Sequence, residues 1–200
     1  MVQDRGGILP PMEPPGGGGA GGPEDPHYSG LSTALAEAPM EIERRIARRA
    51  TEVLHAWRTD GSEIGVWMGG TDRVRVPAAA LPQFTGAVVT HNHPAGSGFS
   101  WQGVRFAIAN HLAELRVITP AGGLYRLRRP DGAENWDDIA YLFTSPRRWR
   151  DYVEARAAAQ ALLRAAHPHW PPDRLNAAVG EAMLLYLART YGVRYSGLLP

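Results

Sequence analysis

Gly86-Ala87-Val88-Val89-Thr90-His91-Asn92-His93-Pro94, running on through Gly96 and Gly98 to Phe99-Ser100, is the stretch that decides both fold and chemistry. Its first five residues are largely apolar, the composition of a strand buried on both faces. Alternate strand residues project to one side, so His91 and His93, two apart at the strand tip, can bring both imidazoles to one metal ion. Pro94 stiffens the exit, and the glycines beyond it let backbone approach the site closely. A strand that turns polar at its C-terminal tip is also where α/β folds place ligand sites. Ser100 is then a good helix N-cap, with Val104, Ile108, His111, Leu112 and Leu115 following at helical spacing.

Working upstream, Leu31 to Ala50 has helical composition, with Pro39 as an interruption that leaves Met40 to Ala50 as the firmer helix. Glu52 to Trp57 reads as a strand, turned by Asp60-Gly61 into a hairpin partner at Ile64 to Met68. Asp72 to Val76 alternates like a further short strand. Downstream, Arg116 to Thr119 and Leu124 to Leu127 are two strands joined by Pro120-Ala121-Gly122-Gly123. Trp136 to Leu187 reads as helices broken at Pro146 and around Pro168 to Pro172. Residues 1–30 are a Gly/Pro tract that cannot bury enough apolar surface to offset its ordering entropy, and disorder is expected there. The order of elements predicts an α/β fold: a mixed sheet flanked by helices over residues 31–132, then a helical C-terminal extension over 133–200.

Composition removes several function classes. The 200 residues are 44% hydrophobic, enough for a real core, and contain no Cys. Disulfide scaffolds, Cys-based zinc fingers, iron–sulfur clusters and thiol nucleophiles are therefore excluded, and any metal must be held by His and carboxylate. All 21 basic residues are Arg, which excludes Schiff-base lysines, Ser–Lys dyads and the phosphate-binding P-loop. A net charge of +1 argues against a dedicated nucleic-acid or membrane-surface binder. With no 18-residue apolar run and no apolar segment of signal-peptide type at the start, a cytoplasmic protein is expected.

The segment Thr90 to Ser100, with the strand before it, resembles the JAMM/MPN (JAB-like) family of zinc metallopeptidases. That family's motif is a distant glutamate, then H-x-H-P, a short loop and S-x-x-D. The Phe99-Ser100 form is similar to a bacterial and phage-associated branch, as are Asn110 to Val117 and Gly123 to Leu127. The resemblance covers roughly Glu52 to Pro130, and Tyr191 to Ser196 resembles the branch only loosely. It implies a cytidine-deaminase-like mixed sheet flanked by helices and a Zn2+ ion on His91 and His93. It further implies a glutamate that deprotonates the attacking water and an oxyanion role for Ser100. Glu52, in front of a hairpin turn, matches the glutamate; Glu63, just past that turn, is the other choice. The chain departs from the pattern in one place above all: where the family has its Asp ligand, this sequence has Gly103. The loop from His93 to Ser100 is also one residue shorter than in many members.

Two functions follow from the resemblance. One is a zinc-dependent peptidase or isopeptidase with a degraded metal site. The other is a catalytically inactive MPN-like pseudoenzyme that binds a protein or peptide partner as a scaffold. HNH nucleases are a poor match, because their His, Asn and His are spread over a ββα unit rather than three consecutive positions. Among the remaining histidines, His55 is odd-spaced from Glu52 and should face the other side of the strand. His111 reads as a core or surface residue, and His167 and His169 as a loop pair. Trp101 is expected partly exposed at the mouth of a cleft, where it would grip substrate; Trp57, Trp67 and Trp136 are expected in the core. Arg147-Arg148-Trp149-Arg150 reads as a solvated helix start.

Overall fold

β3 (Val88–Asn92) is buried along its whole length because it is paired on both sides and covered on both faces. The computed structural model describes residues 33–129 and 136–197, and the Gly/Pro tract at 1–30 lies outside the described residues. Around β3 the chain runs α1 (Thr33–Ile46), β1 (Val53–Trp57), β2 (Glu63–Met68), a 3-10 turn (Ala78–Phe84), β3 and α2 (Trp101–Ala109). It continues through β4 (Glu114–Ile118), β5 (Leu124–Arg128), α3 (Asp137–Thr144), α4 (Pro146–Ala166), α5 (Pro172–Tyr191) and β6 (Arg194–Gly197). The sheet order is β2-β1-β3-β4-β5-β6. β3 and β4 are parallel, joined by the α2 crossover, and every other pair is antiparallel. The fold is therefore mixed α/β, with a six-stranded sheet flanked by helices.

Register sorts the side chains. Leu54 pairs with His91, His91 with Val117 and Val117 with Tyr125, so these residues lie in one row on one face. With Val89, Leu115 and Leu127 they meet Phe84, Ile108, Leu112, Trp136, Leu184 and Leu187 in the main core. Trp136 is anchored there by its indole N–H, which donates to the Leu112 carbonyl at 2.7 Å. Trp57 and Trp136 are buried, whereas Trp67 is only partly so.

The opposite face carries α1, whose Ile46, with Ala47 just beyond the helix, packs on Val53, Ile118 and Leu124. Between these apolar contacts lies a buried ionic network. The Arg116 guanidinium, fully buried, donates to Glu43 at 2.6 Å and to Glu114 at 2.7 Å. Arg126 donates to Glu114 at 2.8 Å, and the Thr90 hydroxyl donates to Glu43 at 2.9 Å. Burial pushes the Glu114 carboxyl up, but Arg116, Arg126 and Arg128 together outweigh it and hold the group below its ordinary value.

Four local expectations are corrected. α1 runs straight through Pro39 and stops at Ile46 rather than Ala50: the packing of its Ile42, Glu43 and Ile46 face outweighs the lost backbone bond. Asp72 to Val76 forms no strand. The chain folds back there, with Gly70 N–H donating to the Arg73 carbonyl at 3.0 Å, and a Cβ on Gly69 would lie 2.0 Å from that oxygen. α2 ends at Ala109, with His111 in the left-handed region at φ 51°, so Leu115 belongs to β4 and not to the helix. Finally, the C-terminal extension is not purely helical. Gly192, at φ 69°, ends α5 and releases β6, which pairs with β5. The break expected at Pro146 is present: α3 ends at Thr144 and Pro146 opens α4, in whose first turn its missing N–H costs nothing. No helix among the described residues is long and apolar enough to cross a membrane.

Candidate metal and proton-transfer site

His91 sits in the central strand on the main-core face, and His93 lies just beyond it, its N–H donating to the Ile118 carbonyl at 3.0 Å. That bond extends the β3–β4 pairing past the last strand residue and fixes both rings relative to the sheet. Their Nε2 atoms are 2.9 Å apart, with ring planes at 71°. Both histidines are buried.

The second nitrogens decide the tautomers. His93 Nδ1 lies 3.0 Å from the Ser97 carbonyl and 3.3 Å from its hydroxyl. A carbonyl can only accept, so Nδ1 carries the proton and Nε2 presents its lone pair. The proton between the rings then belongs to His91 Nε2, which leaves the buried His91 Nδ1 without a well-formed hydrogen bond, the ring lying beside the Arg116 backbone. An orphaned buried nitrogen is costly. A cation shared by the two Nε2 atoms would release that proton to Nδ1, the arrangement usual for metal-bound imidazoles. Burial, and then the neighbouring His93, push His91 down to about 3, and burial also lowers His93. Both rings are therefore neutral near pH 7, the form that binds metal.

Glu52 precedes β1 by one residue and is clamped by backbone bonds on both sides. Its N–H donates to the Gly70 carbonyl at 2.7 Å and its carbonyl accepts from Gly69 at 2.9 Å. Two positions before Leu54, it projects to the histidine face, and its Oε1 lies 4.0 Å from His93 Nε2. Burial, reinforced by the charge of Asp72, raises its carboxyl from 4.5 to about 7. A proton taken up by Glu52 near neutral pH is thus held and released at little cost. Glu63 is elsewhere: its half-exposed carboxylate faces His55 Nδ1 at 3.7 Å, on the α1 side of the sheet.

The structure uses Ser100 to cap α2. Its hydroxyl is exposed and accepts from the Gly103 N–H at 3.0 Å, with no hydrogen bond to Glu52, His91 or His93. Gly103 is the third residue of α2, and a Cβ there would stand 3.4 Å from Ser100 Oγ and 3.6 Å from Leu115, so a side chain has room. Among the described residues no group of three or more His, Asp or Glu is placed to hold a metal ion. A catalytic zinc site ordinarily takes three protein ligands and a water; the two imidazole nitrogens supply two of them.

Ser97 is a site residue the motif does not name. Its signal is the spacing Pro94-Ala95-Gly96: Gly96, at φ 76°, donates to the His93 carbonyl at 2.9 Å, closing a turn that returns Ser97 to the ring. The wall behind the loop is also new. Gly98 lies so close to Tyr125 that a Cβ would come within 3.1 Å of the ring. Phe99 contacts both Tyr125 and Tyr195, and the Tyr195 hydroxyl donates to Glu181 of α5. Trp101, half-buried beside the cap, stacks on Tyr152 at 4.7 Å. Other histidines among the described residues stand apart from the pair: His55 stacks on Trp57, His111 lies past the far end of α2, and His167 stacks on the Trp170 ring at 3.8 Å.

The Glu52 shift has a sign that can be measured. Because the folded carboxyl binds its proton more tightly than the unfolded one, stability falls as pH rises from 4.5 to about 7. In metal-stripped protein, E52Q should therefore match wild type in urea unfolding at pH 4. At pH 8 it should exceed wild type by about 2 kcal/mol, after a discount for solvent screening. Equal midpoints at both pH values would show an ordinary, solvated carboxylate.

No protein-family model, curated protein or solved structure matches the chain.

Proposed function

We propose that the chain is a JAMM/MPN-type domain in which Glu52, His91 and His93 serve zinc-assisted hydrolysis of a peptide or isopeptide bond. The observation that carries this reading is the convergence of two buried, neutral imidazole nitrogens at 2.9 Å, with the Glu52 carboxyl 4.0 Å away. The mixed sheet between helices agrees with the fold that the sequence resemblance implies. Zn2+ on the two Nε2 atoms would polarise the scissile carbonyl and lower the pKa of a bound water toward ~7. Glu52, poised near neutrality, takes a proton from the attacking water and returns it to the leaving amine. Ser97 holds His93 in the tautomer that leaves Nε2 free. Trp101, half-buried at the start of α2 and stacked on Tyr152, would offer the exposed part of its ring to a substrate side chain. Ser100 contributes by shaping the start of α2.

A second reading is favoured by Gly103. Without a third protein ligand the metal binds weakly, and the same fold then serves as a pseudoenzyme scaffold for a protein or peptide partner. Elemental mass spectrometry of the purified protein separates the two. Near-stoichiometric zinc that is lost in H91A and after chelator washing is the expected result for the hydrolase. Folded protein that stays zinc-free after incubation with the metal would overturn that reading in favour of the scaffold.

A further inference from the structure

β2 forms one edge of the sheet: β1 pairs with its inner side, and no strand among the described residues pairs with its outer side. Such an edge is a template for another chain, and proteins commonly blunt it with charge, Pro or a bulge. Here the α1 side of the edge is apolar instead. Val66 is 43% exposed and Met68 69% exposed, two large side chains two residues apart on one face. Beside them, between β2 and α1, runs a groove of about 180 Å³ floored by Ile42 and His55 and rimmed by Arg45 and Arg49. The two arginines lie one helical turn apart on α1 or just beyond it, and both are exposed. No carboxylate among the described residues pairs with either guanidinium. Glu63, at the start of β2, is turned toward His55. The groove thus combines a free backbone edge, an apolar floor and a cationic rim.

We propose that the outer edge of β2 docks an extended acidic segment of a partner protein, which adds to the sheet as a further strand. Backbone bonds to β2 supply the affinity common to strand addition, and alternate side chains supply the selectivity. On the α1 face of the added strand, apolar residues cover Val66 and Met68, and carboxylates reach Arg45 and Arg49. The histidine pair lies on the opposite face of the sheet, so docking here does not cover it and does not rest on the metal reading. A hydrolase would use the edge to hold a substrate's flanking segment, and a scaffold would use it as the docking site itself.

The test uses the full chain and a fluorescein-labelled, end-capped seven-residue peptide, Val-Thr-Val-Thr-Glu-Thr-Glu, whose odd positions put two Val and two Glu on one face, read by anisotropy. Binding tighter than about 100 μM is expected. R45E/R49E, which changes only exposed side chains, should weaken it at least about tenfold while far-UV circular dichroism stays unchanged. A peptide N-methylated at alternate amides, which cannot pair in register, should weaken by a similar factor. The proposal is overturned by a Kd above about 1 mM, by equal binding to R45E/R49E, or by equal binding of the N-methylated peptide. It is also overturned if sedimentation shows a dimer that excludes the peptide, since the edge would then belong to a second copy of this chain.

Discussion

R116M is expected to destabilise the fold by about 3–5 kcal/mol, the cost typical of breaking a buried ion pair by removing one partner. Arg116 is fully buried and donates to both Glu43 and Glu114, so its loss leaves two carboxylates facing an apolar side chain. Arg126 still reaches Glu114 at 2.8 Å and the Thr90 hydroxyl still donates to Glu43 at 2.9 Å, but both carboxylates lose the buried guanidinium that they share. Urea unfolding of R116M at pH 7 reads the effect directly. A companion variant, E43L/E114L/R116M/R126L, replaces the network by apolar groups and should recover most of the loss. A loss under about 1 kcal/mol in R116M would mean that the carboxylates had found water or other partners. The pH dependence has a definite sign. The folded Glu114 carboxyl lies below its unfolded value, so its contribution is present above the unfolded pKa and is lost as pH falls through the folded one. Wild type should therefore lose stability on acidification below pH 4.5 more steeply than E114Q.

G103D is expected to raise zinc affinity by more than about 100-fold, beyond the usual effect of an outer-shell partner, because it adds a charged protein ligand. The position tolerates the change: the new Cβ makes ordinary contacts with Ser100 Oγ and Leu115. Asp at the third position of α2 also favours the helix dipole, and loss of Gly removes a helix-propensity penalty of up to about 1 kcal/mol. Competition against a chromogenic chelator measures the affinity, and thermal unfolding without metal isolates the helix effect. A more stable but equally weak binder would show that the loop no longer aims position 103 at the histidines. The mapping of Glu52 and Ser100 onto the family motif would lose support at the same time.

What could be read from sequence divides along a physical line. β3, the β1–β2 hairpin and the Ser100 cap follow from alternation, turn chemistry and neighbours a few residues away, whereas the place of Glu52 beside the histidine pair was implied only by the family resemblance and depends on the β1–β3 register. The ionic network does not follow from such local rules. Arg116, Arg126 and Arg128 alternate with apolar residues, a pattern that ordinarily marks a solvent-facing side. Only α1, bringing Glu43 from 73 residues away, turns that side into an interior. Pro39 misleads for the same reason, since a local penalty was outweighed by packing that sequence spacing does not reveal. Ser97 follows from turn chemistry at Gly96, but its contact with the His93 ring depends on how that turn closes, which the H-x-H-P spacing does not encode. Glu181 and Tyr195 became visible only once β6 was known to join the sheet. A four-residue strand carrying Arg, Ser and Gly has little intrinsic signal of its own.

That late strand bears on how the chain reaches its folded state. β5 ends at Arg128 and β6 begins at Arg194, so the β5–β6 ladder must close a long loop that contains three helices. Closure entropy has to be overcome before any of those backbone bonds form, and pairings of this kind slow folding. Until α5 docks, one side of β5 stays open while the rest of the sheet can already exist. A nascent or heat-stressed molecule in that condition presents two bare strands, one at each end of the sheet. Head-to-tail stacking of such intermediates is then the natural route to aggregation. Reagents that favour early formation of α5 should raise the refolding yield without changing the equilibrium stability of the finished sheet in proportion.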